Sequence, residues 1–239
     1  EAEVLFNNTK DFPDAEQLAA QCRAHVDYAE AQSLMEAGDY YAARELLLTL
    51  DGTIITDKDA LLNECENMID YNKAKELLSD GKNYDAYKIF KELGSFLDSS
   101  TLASSCFVSM PKTSETYRNP NYSGTSSSLT IKPPTGDGSR TYLKVYSEGG
   151  SLVSCVFINA GDQAKIKLPA GKYRFKTAYS FGKWFGEKDM FGDEGVYQSL
   201  RFSGGSEVYQ FDAKGNYLLT LRTAGTGNVT TKTEKRDTF

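Results

Sequence analysis

The stretch Asp70–Cys106, DYNKAKELLSDGKNYDAYKIFKELGSFLDSSTLASSC, decides the fold of the first half of the chain, because Asp27–Cys65 is a divergent copy of it. With Tyr28 placed on Tyr71, residues of similar size coincide at a spacing of 43 residues. The coinciding pairs are Ala31 and Ala74, Leu34 and Leu77, Gly38 and Gly81, Ala43 and Ala86, Leu47 and Phe90, and Leu50 and Leu93. A repeat of this length predicts a short array of helical units that bury their apolar faces against one another.

Each copy has the periodicity of a long helix followed by a short one. Largely apolar residues recur at steps of three and four, which keeps them on one helical face. They are Leu18, Cys22, His25, Tyr28, Ala31 and Met35 in the first copy, and Leu61, Cys65, Met68, Tyr71, Ala74 and Leu78 in the second. Gly38 and Gly81 are predicted to end the long helices, and Asp14 to cap the start of the first. The only histidine, His25, falls where the second copy has Met68, so we expect it to pack in the core.

Short helices over Tyr40–Leu50 and Tyr84–Leu93 would complete two helical hairpins, and Asp98–Met110 would add a last short helix before Pro111. Three of the four cysteines recur at the same place in successive units, and Cys155 lies in a strand-like run. The three recurring cysteines are Cys22, Cys65 and Cys106. Such positions are typical of small buried residues, so we expect unpaired, buried thiols.

The order of a small residue, Leu, Gly, Tyr, Ala and a large apolar residue resembles the signature of tetratricopeptide repeats. It falls on Ala31, Leu34, Gly38, Tyr40, Ala43 and Leu47, and again on Ala74, Leu77, Gly81, Ala86 and Phe90. The units are longer than those of the family, at 43 and 41 residues against about 34. The resemblance implies a helical repeat domain over residues 1–110 with a groove that holds a protein or peptide segment.

After the helical array the composition changes twice. Residues 111–128 are rich in Ser, Thr, Asn, Tyr and Pro, which predicts a linker or an extended segment lying on the surface. Beyond it, short strand-like runs separated by glycine turns predict an antiparallel β-sandwich over residues 129–239. The predicted strands are Leu129–Lys132, Thr141–Ser147, Leu152–Ile158, Gln163–Leu168, Lys172–Phe181, Val196–Phe202, Glu207–Phe211, Tyr217–Thr223 and Val229–Lys235. The predicted fold class is therefore α + β in two domains, an N-terminal array of α-hairpins and a C-terminal antiparallel β-sandwich.

Two phrases in the second half resemble known β-modules. The turn within Lys167–Phe175 is similar to that of prealbumin-like and carboxypeptidase-regulatory-like sandwiches. The aromatic insert Gly182–Gly192 resembles one in uncharacterised bacterial β-domains that follow helical repeats. This resemblance does not point to any particular activity. Because the sequence also begins at Glu1 rather than Met, we expect a bacterial cell-envelope protein. A membrane-anchored or extracytoplasmic location is favoured, and the cytoplasm is the alternative.

Composition and motifs narrow the classes of function. The net charge of −6 and the lack of a stripe rich in Lys and Arg exclude a nucleic-acid binder, since contacts to phosphates need clustered positive charge. No apolar run reaches the roughly 20 residues that cross a bilayer, so we expect no membrane span. Catalytic motifs of the Walker, G-x-S-x-G and H-E-x-x-H types are absent from the sequence. We therefore expect no catalytic residues and no cofactor.

The candidate site is the loop around Trp184, where aromatic and acidic residues occur together. Trp184, Phe185 and Phe191 could stack on a sugar or contact a partner protein. The alternative is that they plug one end of the sandwich. The acidic residues of the loop are Glu187, Asp189, Asp193 and Glu194, which carry enough oxygens for Ca²⁺. Their order does not match an EF-hand loop, so a solvated acidic loop is favoured and no metal site is predicted.

Three hypotheses of function follow. The leading one is a non-enzymatic scaffold or protein–protein interaction protein with a protein or peptide partner. The alternative is a carbohydrate-binding module that uses the Trp184 loop. A weaker alternative is a hydrolase whose paired carboxylates have no recognisable motif in the sequence.

Overall fold

The computed structural model describes residues 4, 14–124, 126–134, 136, 138–221 and 229–239. Its first half is helical and its second half consists mostly of antiparallel strands, so the protein is of the mixed α + β class. The chain divides into two compact units, Glu1–Ser105 and Cys106–Phe239. They are named the helical unit and the β unit below.

The helical unit consists of helices that pack in chain order. Their bounds are α1 (Ala15–Glu36), α2 (Tyr40–Thr49), α3 (Lys58–Ser79), α4 (Asn83–Leu93) and α5 (Ser99–Ser105). Each of them contacts the next along the chain. The first four alternate between long helices of 22 residues and short helices of 10 and 11 residues. The predicted pairs of a long and a short helix are therefore present.

A glycine follows each long helix, as the sequence predicts. Gly38 and Gly81 have φ angles of +82° and +70°, in the left-handed region that glycine enters without steric cost. The next helix then begins within a few residues. At the start of α2, the Asp39 carboxylate accepts a hydrogen bond from the Ala42 N–H at 3.1 Å and so caps the helix.

Three pairs of corresponding residues in the two hairpins are fully buried. The pairs with no exposed surface are Ala31 and Ala74, Ala43 and Ala86, and Leu47 and Phe90. Alanine lets two helices approach closely, and the large residue of the last pair fills the space between them. Cys65 and Cys106 are fully buried as expected, whereas Cys22 is only half-buried. The four cysteines, all within the described ranges, form no disulfide.

One hydrogen bond of the same kind ends each hairpin. The Tyr28 hydroxyl in α1 donates to the Asp57 carboxylate, just before α3, at 2.5 Å. The Tyr71 hydroxyl in α3 donates to the Asp98 carboxylate, just before α5, at 2.6 Å. This bond raises the pKa of each tyrosine, because the carboxylate stabilises the protonated hydroxyl. Each long helix is thereby linked to the residue that precedes a later helix, α3 for α1 and α5 for α3.

The prediction that His25 packs in the core is wrong. His25 is exposed, and its neighbour Ala24 takes the inward position with 8% of its surface exposed. Consecutive residues of an α-helix point about 100° apart, so Ala24 and His25 cannot both face the core. The matching Met68 is half-buried, so the two copies differ most in this first part of the long helix.

The β unit contains two sheets. Their strands are β1 (Ser114–Arg118), β2 (Ser127–Lys132), β3 (Arg140–Ser147), β4 (Leu152–Ile158), β5 (Ala164–Leu168), β6 (Gly171–Ser180), β7 (Val196–Arg201), β8 (Tyr209–Phe211), β9 (Asn216–Thr220) and β10 (Thr230–Thr233). The large sheet has the order β1-β4-β3-β6-β7-β10, and β8 also pairs with β6. The small sheet has the order β5-β2-β9.

One strand pair departs from the predicted antiparallel arrangement. β2 and β9 run parallel, with Leu129 opposite Tyr217 and Ile131 opposite Leu219. The chain leaves the large sheet at the end of β8 and enters the small sheet at β9. Alternation of apolar and polar residues sets which face of a strand is buried, and it carries no information on strand direction. The sequence therefore could not indicate the parallel pair.

A single apolar core lies between the two sheets. Both sheets contribute to it, through Leu129, Ile131, Leu143, Val145, Val156, Ile158, Ile166, Leu168, Tyr173, Phe175, Leu200, Phe211 and Leu219, among others. In β5 the pattern is clean, because Ile166 and Leu168 are buried while Lys165 and Lys167 are exposed. Burial of alternate residues is what two facing sheets require.

The first and last strands in the order of the large sheet are short and polar. β1 lies within residues 111–128, the segment predicted as a linker, and pairs with β4. Its pairing contains a bulge between Glu115 and Tyr117. β10 is a Thr-Thr-Lys-Thr segment whose four residues are all exposed.

The outer face of the large sheet is also buried, which the sequence does not suggest. On β3, the inner residues Leu143 and Val145 and the outer residue Tyr142 all have no exposed surface. A second apolar cluster covers this outer face, made of Tyr142, Cys155, Phe157, Ala178, Trp184, Met190, Phe191, Tyr197 and Phe239. The large sheet is therefore the middle layer of the β unit, with the Trp184 loop on its far side.

Candidate functional site

Trp184, Phe185 and Phe191 of the Trp184 loop are buried in the β unit. Trp184 has 2% of its surface exposed and makes edge contacts with three rings, Tyr142, Phe157 and Phe191, at centroid distances of 5.1, 5.0 and 5.1 Å. Phe185 is 3% exposed and packs against Phe107 at 5.4 Å. A sugar ring could reach the indole face only if the loop were displaced. Trp184 and Phe191 therefore cover the outer face of the large sheet and do not plug an open end of the sandwich.

The conformation of the loop is fixed by its own backbone. The Phe185 N–H donates to the Met190 carbonyl and the Met190 N–H donates to the Gly186 carbonyl, both at 2.7 Å. Gly186 has a φ angle of +99°, which a side chain would strain. The Trp184 carbonyl accepts the Val108 N–H at 2.9 Å. These bonds hold the indole against the sheet.

Two acidic residues of the loop, Asp189 and Asp193, lie near the same arginine. Asp189 is 8% exposed and lies 3.8 Å from Arg236, which also lies 3.8 Å from Asp193. Glu187 is exposed to solvent. Within the described ranges, no group of three or more His, Cys, Asp or Glu residues could hold a metal ion. Asp189 therefore pairs with Arg236 of the C-terminal turn. From the sequence alone, Asp189 was a candidate calcium ligand.

A lysine and a cysteine face each other beneath this cover. Lys144 on β3 lies opposite Cys155 on β4. Burial lowers the pKa of the Lys144 ammonium and raises the pKa of the Cys155 thiol. The ammonium lies 4.8 Å from the centroid of the Phe239 ring and donates to the Phe239 carbonyl at 3.4 Å. The nucleophilic form of cysteine is the thiolate. A buried thiol with a raised pKa is protonated and therefore has the properties of a packing residue.

Two other buried groups predict how stability depends on pH. Burial raises the pKa of Cys106 from 9.0 to about 11 and the pKa of Tyr197 from 10.0 to about 12. The folded state thus favours the neutral forms, and this stabilisation is fully present below about pH 9 and is lost as the pH rises through 11 to 12. We expect the urea midpoint to fall between pH 8 and pH 11, and Cys106→Ala to reduce that fall. An equal midpoint at both pH values would contradict the expectation.

The helical unit differs from the β unit in charge. Residues 1–105 contain 21 Asp or Glu and 9 Lys or Arg, whereas residues 106–239 contain 12 and 18. The net charge of −6 thus conceals −12 on the first unit and +6 on the second. The acidity is greatest in residues 14–57, with 9 acidic and 2 basic residues. A strongly acidic surface attracts positively charged partners.

The first hairpin also exposes apolar side chains among these charges. Val26 is 65% exposed, Tyr41 is 66% exposed and Leu48 is 47% exposed. Tyr41 and Leu48 are seven residues apart on α2 and so lie on the same face of that helix. Protein interfaces commonly have apolar residues at the centre and polar residues at the rim. The sequence alone does not predict that these three side chains are exposed.

The β unit also contains an aromatic cavity that the sequence does not predict. It lies beside β8 and β9, and the signal for it was the recurrence of aromatic residues at Phe202, Tyr209, Phe211 and Tyr217. Strand patterns assigned these residues to a core, and nothing in them indicates a gap between the two sheets.

Comparison of the chain with protein-family models, with curated proteins and with solved structures finds no match. Among the described helices, none has both the length and the apolar character to cross a bilayer.

Proposed function

We propose that the protein is a non-enzymatic interaction protein whose helical unit is a short array of tetratricopeptide-like hairpins. The observation that carries this proposal is the matched construction of the two hairpins. Equivalent positions are buried, and Tyr28 bonds to Asp57 as Tyr71 bonds to Asp98. Stacked hairpins of this kind leave one face of each unit available to a partner.

The chemistry of the partner follows from charge. The helical unit has more than twice as many acidic as basic residues, and the first hairpin is the most acidic part. The partner is therefore a protein or peptide segment with net positive charge and at least one apolar residue to meet Val26, Tyr41 or Leu48. Association of such partners is fast at low ionic strength and is weakened by salt.

The β unit supports the same class of function. Buried aromatic rings of the Trp184 loop cover the outer face of the large sheet. Among the described strands, the one buried thiol opposite a lysine is that of Cys155, and burial raises its pKa and so favours the neutral form. We interpret it as a β-sandwich that serves as a scaffold. A bacterial cell-envelope location stays part of the proposal and rests on the resemblance of the Gly182–Gly192 insert.

The test is capture of a partner by the immobilised full chain from bacterial envelope extract, with cross-linking. We expect one specific basic protein to be retained, and Glu30→Lys with Glu36→Lys to lower its retention by about tenfold, because both carboxylates are exposed on α1. The matched control is Glu148→Lys with Asp212→Lys, which makes the same charge change at exposed positions of the β unit. No captured protein, or equal retention by the two double variants, would contradict the proposal.

A further inference from the structure

A cavity of about 210 Å³ opens at one side of the β unit, where β8 of the large sheet and β9 of the small sheet diverge. Its lining consists of Leu129, Phe175, Phe202, Tyr209, Phe211, Asn216, Tyr217, Leu218 and Leu219. The floor is buried, since Leu129, Phe175 and Phe211 are each 2% exposed. The rim is open, since Tyr209 is 38% exposed and Leu218 is 50% exposed. The space is therefore accessible from solvent and continuous with the core.

The walls of the cavity are aromatic rings in edge and tilted contacts. Tyr209 lies 4.8 Å from Phe202 and 5.8 Å from Tyr217, measured between ring centroids. Phe211 lies 4.3 Å from Tyr217 and 6.0 Å from Phe175. A planar ring placed among them would meet both faces and edges of its neighbours, which is the arrangement that aromatic pairs prefer.

The polar side chains of the lining are neutral. The Tyr217 hydroxyl accepts the Asp212 N–H at 2.7 Å, which fixes the ring at the mouth. Asn216 contributes the amide of the lining. None of the described residues that line the cavity carries a charge. An ion would lose its hydration here without compensation, so the occupant is neutral.

The size of the cavity limits the occupant to one or two rings. An apolar cavity of about 150 Å³ is enough to hold benzene, whereas pockets for drug-sized molecules begin at about 300 Å³. A space of 210 Å³ lies between these limits and fits the ring system of a tyrosine or tryptophan side chain. The exposed side chains at the rim can contact the residues on either side of a bound ring, which favours a ring held in place by an attached chain.

We propose that this cavity binds the aromatic side chain of a polypeptide partner, with the ring inserted among Phe202, Tyr209 and Tyr217. The exposed rim at Tyr209 and Leu218 contacts the residues on either side of that ring. The cavity is then the central anchor position of an interface, where a few buried aromatic contacts supply most of the binding free energy. This inference rests on the proposed function in taking the partner to be a polypeptide, but it concerns the β unit.

The test uses two capped pentapeptides of alanine, one with a central tryptophan and one with a central leucine. Binding to the full chain is measured by saturation-transfer NMR and calorimetry. We expect the tryptophan peptide to bind about tenfold more tightly than the leucine peptide. Tyr209→Ala, which removes one wall, and Leu218→Trp, which fills the mouth at an exposed position, are each expected to weaken binding of the tryptophan peptide by about tenfold.

The matched control is Tyr117→Ala, because Tyr117 on β1 is 38% exposed, the same as Tyr209. It is expected to leave binding unchanged. Absence of binding to the unmodified chain, or an equal loss in Tyr117→Ala, would overturn the assignment of the cavity. Free indole that binds as tightly as the tryptophan peptide would overturn the polypeptide as its source. Peptide binding together with failed capture from envelope extract would refute the proposed function of the helical unit and leave this site standing.

Discussion

Trp184→Ala is expected to lower the free energy of unfolding of the β unit by about 3–5 kcal/mol, the usual range for truncation of a buried tryptophan. The indole is 2% exposed and is surrounded by Tyr142, Phe157 and Phe191. Its removal would leave a cavity between the loop and the sheet. Because the loop is also held by hydrogen bonds to Met190 and Val108, it could not collapse fully into the space.

The measurement is urea denaturation followed by circular dichroism, since the variant contains no tryptophan for fluorescence. Phe181→Ala is the matched control, because Phe181 is an aromatic residue at the start of the same loop and is 65% exposed. It should change the free energy of unfolding by less than about 0.5 kcal/mol. A similar small effect of Trp184→Ala would mean that the indole is not packed against the sheet in solution.

Phe90→Ala is expected to cost the helical unit a similar amount, about 3–5 kcal/mol. Phe90 has no exposed surface, and Tyr71 contacts it edge-on at a centroid distance of 6.0 Å. The corresponding residue of the first hairpin is Leu47, which is also fully buried. Phe90→Leu should therefore be milder and cost less than about 2 kcal/mol, because a leucine fits the same position between a long and a short helix.

Thermal or urea unfolding of the full chain, followed at 222 nm, reports on the helical unit. Tyr41→Ala serves as the control for loss of an aromatic side chain, because Tyr41 is 66% exposed. It should change stability by less than about 0.5 kcal/mol. If Phe90→Leu proved as damaging as Phe90→Ala, the two hairpins would not share a common packing arrangement.

The positions of the helices could be predicted because each rests on a local signal. Gly38 and Gly81 adopt positive φ angles that a side chain would strain, so a glycine at those places indicates the end of a helix. All nine predicted strands are found, in most cases within a residue or two of their predicted bounds, because glycine turns separate them. Of the predicted strand Tyr217–Thr223, the observed strand ends at Thr220, and residues 222–223 lie outside the described ranges.

What could not be predicted depends on which surface packs on which. β1 has the composition of a loop, and it is a strand only because β4 offers it a partner. His25 and Ala24 differ by one position on a helix, and tertiary packing decides which of them points inward. The sequence therefore did not predict strand β1 or the orientation of the only histidine.

The candidate site shows the same limit. The sequence places Trp184, Phe185 and Phe191 in one loop, but whether they face solvent depends on the outer face of β3 and β4. That face is apolar because Tyr142, Cys155 and Phe157 alternate with residues of the inner core. A strand with apolar residues on both faces reads as an ordinary apolar run, and only the structure shows that a second layer covers it.

The two strands that flank the large sheet influence how the protein behaves at high concentration. A terminal strand with long, flat, apolar character would recruit further chains and lead to aggregation. β10 is four exposed residues with Lys232 among threonines, and β1 is interrupted by a bulge next to Tyr117. A charge and a bulge both oppose the addition of another strand. The two end strands of the large sheet are thus poor templates for polymerisation, which opposes edge-to-edge aggregation through this sheet.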